Sequence, residues 1–219
     1  YAYPLNEDDV DYYRFISHNI DYITLDLEAG FFNTLVFNQS ESEYGTFEFS
    51  NLEEYNTAQV RVVQVKSNWY ASKVPETKVG SEPEWLGVGR ADNIEVTEAM
   101  VQTAEDEYLA NHQGIITRAD SRSVNDVATV TPISVIKQIE FIVNCEGIYN
   151  LRSVRASIDG MAEGCLLSTG DNTAGQVAHT IDKWEIVKDP SNITRGYVTA
   201  TLSTFGIPAG HNADPEDNK

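Results

Sequence analysis

Apolar residues recur at every second position over much of this chain. Ile23, Leu25 and Leu27 alternate with Tyr22, Thr24 and Asp26, Phe47 and Phe49 flank Glu48, and Val60 and Val62 flank Arg61. Further on, Ile139, Phe141 and Val143 alternate with Glu140 and Ile142, and Val198, Ala200 and Leu202 alternate with Thr199 and Thr201. A period of two suits antiparallel strands with one dry face and one wet face. Gly, Asn, Asp, Ser and Pro collect between these runs, at Glu28-Ala29-Gly30, Ser40 to Gly45, Asn144 to Asn150, Ser168 to Gly175 and Lys188 to Asn192. Many short strands without alternating helices predict an all-β fold built of antiparallel β-sandwiches, and they exclude a Rossmann-type nucleotide fold.

One segment departs from the period. Thr97 to Ala110 (TEAMVQTAEDEYLA) is rich in helix formers, with Met100, Ala104 and Tyr108 on one face and Val101 and Leu109 beside them, which predicts a short helix. Asn111 to Val130 is polar and unpatterned and reads as a linker, with Pro132 opening a second domain. The expected organisation is therefore two sandwiches in tandem, residues 1–130 with the helix and linker, and residues 131–219. The last stretch, His211 to Lys219 (HNADPEDNK), has the composition of an exposed tail.

The stretch SVRASIDGMAEGCLLS, Ser153 to Ser168, poses the sharpest question. It begins as an alternating strand and then meets Gly160, Gly164 and Cys165. An activated thiol needs a neighbouring base or a helix N-terminus, and nothing beside Cys165 in sequence supplies one, although His179 sits on the next expected strand. Small residues around a buried Cys fit a strand that kinks across a sandwich edge, so Cys165 is expected to pack rather than react.

Charge narrows the partners. With 34 acidic against 15 basic residues, a net charge of −19 and a pI near 4.4, the chain is unsuited to nucleic acid and to anionic membrane surfaces. No apolar run has the length of a membrane-spanning helix, and without a basic-plus-apolar leader ahead of Tyr1 the sequence reads as a mature or trimmed chain. Two cysteines, Cys145 and Cys165, are too few for a disulfide framework; they read as separate thiols rather than as a pair.

No metal or cofactor site is expected. His18, His112, His179 and His211 are scattered without ligand spacing, and the acidic clusters around Glu7-Asp8-Asp9, Glu53-Glu54 and Glu105-Asp106-Glu107 do not follow a calcium-loop pattern. Gly87-Val88-Gly89 lacks the third Gly and the Lys of a phosphate loop. Catalysis by paired carboxylates has no specific signal among so many acidic residues. Sugar binding finds better support, because Trp69, Tyr70 and Trp85 offer aromatic faces near polar turns, whereas Trp184 reads as core.

Four segments, GFFNTLVFN (Gly30 to Asn38), PEWLGVGR (Pro83 to Arg90), SVRASIDGMAEGCLLS and GYVTATLSTFG (Gly196 to Gly206), together resemble the fimbrillin-like cell-adhesion lipoproteins of Bacteroides, relatives of pilus subunits and fimbrial anchors. The resemblance implies two transthyretin-like or Ig-like sandwiches in tandem. It implies export through the periplasm to the outer membrane, held by a lipid on a Cys ahead of Tyr1, and no catalytic residues. The polar tail where the family pattern continues with strands suggests a sandwich short of a strand, whose open edge another chain would fill by strand addition. The leading expectation is a non-enzymatic adhesion or pilus-associated module that binds other subunits or a surface ligand, and the alternative is a glycan-binding surface lipoprotein.

Overall fold

The computed structural model of the protein describes residues 1–5, 12–17, 23, 25–67, 78–112 and 128–210. The expected linker, apart from its two ends, lies outside them, as do the tail after Gly210, Trp69, Tyr70 and the Glu7 cluster. In chain order the strands are β1 (Ala2–Pro4), β2 (Gly30–Phe37), β3 (Phe47–Ser50), β4 (Gln59–Val62), β5 (Gly87–Val96), β6 (Ile133–Ser134), β7 (Lys137–Glu146), β8 (Ala156–Ala162), β9 (Gly164–Leu166), β10 (Gln176–Ile181), β11 (Glu185–Asp189) and β12 (Asn192–Thr204). A single described α-helix, α1 (Glu98–His112), follows β5. The fold is all-β, with every ladder between named strands antiparallel.

These strands pair as β1-β2-β5-β6, β3-β4-β9, β10-β8 and β11-β12-β7. The first two sheets face each other across one large core, because the inward side chains of both are apolar. Tyr3, Leu35 and Val88 come from one sheet, and Phe47, Val60, Val62 and Cys165 from the other. The last two sheets enclose a smaller core of Ile181, Ala200 and Leu202, with Phe141, Ala156, Ile158 and Trp184 partly buried around it. Trp184 is anchored where the sequence suggested, its indole N–H donating to the Ile181 carbonyl at 2.8 Å.

The chain beyond residue 131 does not confine itself to the second pair of sheets. It contributes β6 and β9 to the first pair, together with the core residues Cys165, Leu167 and Phe205. The two halves are thus interlocked by strand pairing across residues 130 and 131.

One expectation is corrected. Ile23, Leu25 and Leu27 do not form a strand but stand in irregular chain. Apolar contact outside a ladder accounts for the pattern at Leu27, which packs against the small core of Ala2, Phe32 and Val96. The helix forms where expected, and the Thr97 hydroxyl accepts the Met100 N–H at 3.3 Å, as an N-cap side chain does. Val101 packs on the cluster that holds Phe32 and Val96, while Ala104 and Leu109 are exposed.

Candidate functional site

The glycine-rich stretch beginning at Ser153 folds as a strand that changes sheets. β8 pairs with β10, and two residues of β8, Asp159 and Gly160, stand opposite the single Ala178. Gly160 takes φ +72° there, in the left-handed region that favours glycine, so this is a β-bulge that bends the strand. After Glu163 the chain resumes as β9 and pairs with β4, Cys165 opposite Val60. Gly164 is required by closeness, since a Cβ on it would stand 2.9 Å from the Arg61 Cα and nearer still to the Val60 carbonyl oxygen.

Cys165 ends fully buried in the large core as a free thiol. Burial pushes its pKa up to about 12, and the neighbouring Arg90 charge opposes this only in part. His179 is also fully buried, on β10, and neither ring nitrogen makes a hydrogen bond of regular geometry. Burial lowers its pKa below the ordinary 6.5, with the Gly80 backbone and the Glu82 carboxylate opposing the shift without reversing it. A nucleophile and its base need a hydrogen bond and opposite shifts from these. Among the described residues, no group of three or more His, Cys, Asp or Glu side chains is placed to hold a metal ion.

Of the three aromatic residues nominated for sugar binding, Trp85 is 60% exposed, while Trp69 and Tyr70 lie outside the described residues. Trp85 sits just ahead of β5 on a segment pinned by its neighbour. One Glu84 carboxylate oxygen accepts the Gly45 N–H at 3.0 Å, the Thr46 N–H at 3.2 Å and the Thr46 hydroxyl at 3.0 Å. The Glu84 N–H in turn donates to the Thr46 hydroxyl at 3.0 Å. Gly87-Val88-Gly89 is the start of β5 and not a loop.

The feature that stands out is the outer edge of β7. This ten-residue strand pairs with β12 along its whole length without a register break, from Lys137 opposite Thr204 to Glu146 opposite Arg195. No other described strand lies beside it. Side chains alternate, so Ile139, Phe141, Val143 and Cys145 share the face of their partners Leu202, Ala200, Val198 and Gly196. That face is the core face, yet Ile139, Phe141 and Cys145 are only partly buried and Val143 is 47% exposed. Among the described residues the opposing sheet has only β8 and β10, and no other strand covers this flank.

Two hydrogen bonds fix which backbone groups point away from β12. Gly147 N–H donates to the Thr194 carbonyl at 2.6 Å, so the odd-numbered residues of β7 turn their polar groups toward β12. On the far side of β12, Ser203 N–H turns the other way and donates to Glu82 at 3.3 Å, as that alternation requires. Gln138, Glu140, Ile142 and Asn144 therefore direct N–H and C=O groups outward along the open edge. Period two had marked β7 as a strand; its position at the rim of a sheet is a matter of topology that no local pattern carries.

A family model described as a domain of unknown function (DUF5119) matches residues 1–182. No curated protein matches the chain. Among solved structures, the fold is similar to that of a crystal structure described as "a putative adhesin from Bacteroides ovatus", with a TM-score of 0.50 and 14% sequence identity over 86% of this chain and 54% of that one. This chain spans about half the length of that protein, and at such identity the likeness is one of fold.

Proposed function

The chain belongs to the DUF5119 family, and we propose that it is a non-catalytic cell-surface adhesion protein of fimbrillin-like type that assembles through a sheet edge. In this reading it is exported and tethered to the outer membrane by lipid, and it binds either other protein subunits or a surface ligand. The observation that carries the reading is the open edge of β7: a long regular strand with outward-directed backbone groups and half-covered apolar side chains suits strand addition. The fold it shares with the Bacteroides ovatus protein supports the same assignment. The burial of Cys165 and His179 gives no support to a thiol hydrolase, and no cofactor enters the proposal.

The test is made on cells that produce the full-length protein. Protease added to intact cells should remove it, and deletion of its gene should lower adherence to a surface or to partner cells. A protein found only inside the cell, with adherence unchanged, overturns the proposal. A second reading, glycan binding, is favoured by the exposure of Trp85. Binding on a glycan array that is lost in Trp85→Ala, with folding intact, would establish it in place of subunit assembly.

A further inference from the structure

Every other sheet edge among the described residues carries a device that discourages pairing. β1 has three residues and ends in Pro4, β6 has two residues, β3 has four and β9 has three. β11 breaks register at Asp189, β8 carries the Gly160 bulge, and β10 is flanked by Lys78 to Gly80. Short strands, prolines and bulges are how sheet proteins protect their rims. β7 has none of them: it is long and regular, without proline, and its core-side positions from Ile139 to Cys145 are apolar.

We propose that β7 pairs antiparallel with β7 of a second copy of this chain, about a two-fold axis at Ile142. The inference rests on the reading of β7 as an assembly edge and names its occupant. Self-pairing must join outward-directed residues to one another and keep core faces on the same side, so it has to place even-numbered residues opposite even-numbered ones. The register centred on Ile142 does this and satisfies each position. Ile142, itself 60% exposed, meets its own copy. Phe141 meets Val143 and Ile139 meets Cys145, so apolar faces apolar along the core side. Glu140 meets Asn144 and Gln138 meets Glu146, so no like charges stand directly opposed.

The pairing adds about ten backbone hydrogen bonds, two for each outward-directed pair. A two-fold interface needs such self-complementarity, since one surface must serve as both partners. The high overall negative charge does not concentrate here. Lys137 and Arg195 offset Glu140 and Glu146 along the edge, and Arg195 lies 3.6 Å from Glu146 in an ion pair. More distant charges are screened beyond about 8 Å at physiological salt.

The experiment uses the full chain with Cys145→Ala, adding Ile142→Cys in one variant and Glu140→Cys in another. In the proposed register the two residues 142 face each other at about 5.5 Å between Cα atoms, within disulfide reach. The two residues 140 stand four positions out of register, roughly 14 Å apart. The expected result is a mass that doubles from 24.4 kDa as the chain is concentrated, with a disulfide dimer in I142C and not in E140C. The amides of Gln138, Ile142 and Asn144 should also exchange more slowly as dimer forms. Equal cross-linking of both variants overturns the register, and a monomer at every concentration overturns self-pairing. In a monomer, fast exchange at those amides leaves the edge open to a strand from a different protein. Slow exchange there shows an edge covered within the chain, and overturns the assembly-edge reading as well.

Discussion

Gly164 lies so close against Val60 that a Cβ on Gly164 would overlap the Val60 carbonyl oxygen, with the Arg61 Cα 2.9 Å away. Backbone, not a movable side chain, fills the space, so relief requires β9 to part from β4. Gly164→Ala should therefore lower unfolding stability by about 3 kcal/mol, the upper end of the overpacking range. Gly45 provides the control, because a Cβ there meets nothing within 4 Å. Gly45→Ala should shift the urea midpoint little, and equal shifts for the two variants would contradict the packing account.

Cys165 should behave as a core residue. Replacing it with Ser places a hydroxyl in an apolar site and should cost about 1–3 kcal/mol. With its pKa raised to about 12, the native thiol should resist alkylation at pH 8, whereas the partly exposed Cys145 should label first. Mass spectrometry of the partly labelled native protein distinguishes the two sites. Rapid modification at Cys165 would mean that the large core opens there.

His179 makes stability depend on pH with a definite sign. In the unfolded chain its imidazole titrates near 6.5, and in the folded protein at lower pH. Below about pH 6.5 the unfolded state thus holds more protons than the native state, and stability falls as pH drops; above that range the group has no effect. Thermal melts at pH 7.5 and 5.5 should show a larger loss for the natural chain than for His179→Gln. Parallel losses would show that the ring is solvated in the folded protein.

Glu84 holds the segment that presents Trp85. Its carboxylate gathers three donors from Gly45 and Thr46, and Glu84→Ala leaves them to water at this exposed site. The cost should be about 1 kcal/mol, because each exposed hydrogen bond adds little net stability. The indole fluorescence of Trp85 should also change as the segment loosens. A spectrum and a melting temperature unchanged from the natural chain would show that the turn is held by other contacts.

Much of this architecture is legible along the chain. Alternation marked Phe47 and Phe49 in β3, Val60 and Val62 in β4, Ile139 to Val143 in β7 and Val198 to Leu202 in β12, because a strand sorts its side chains two by two whatever its neighbours are. Thr97 and the helix formers after it marked α1. The glycines between Ser153 and Ser168 marked a strand that bends, and Gly160 and Gly164 do so for different reasons, one for its positive φ and one for closeness. Alternation misled at Ile23, Leu25 and Leu27, which stand in irregular chain, Leu27 packing on the cluster of Ala2, Phe32 and Val96 rather than in a ladder.

The sequence by itself determined the strand period, the sites of the turns and the acidic balance, which depend on residue type and on neighbours within a few positions. Only the tertiary structure decided that β9 leaves β8's sheet to pair with β4, that Cys165 and His179 are buried without a mutual hydrogen bond, and that β7 has no other described strand along its outer edge. Those outcomes depend on pairings between positions far apart in the chain, such as Val60 with Cys165 and Lys137 with Thr204. Backbone groups must be paired or solvated wherever the chain brings them, and which of these occurs is settled by strand order rather than by side-chain pattern.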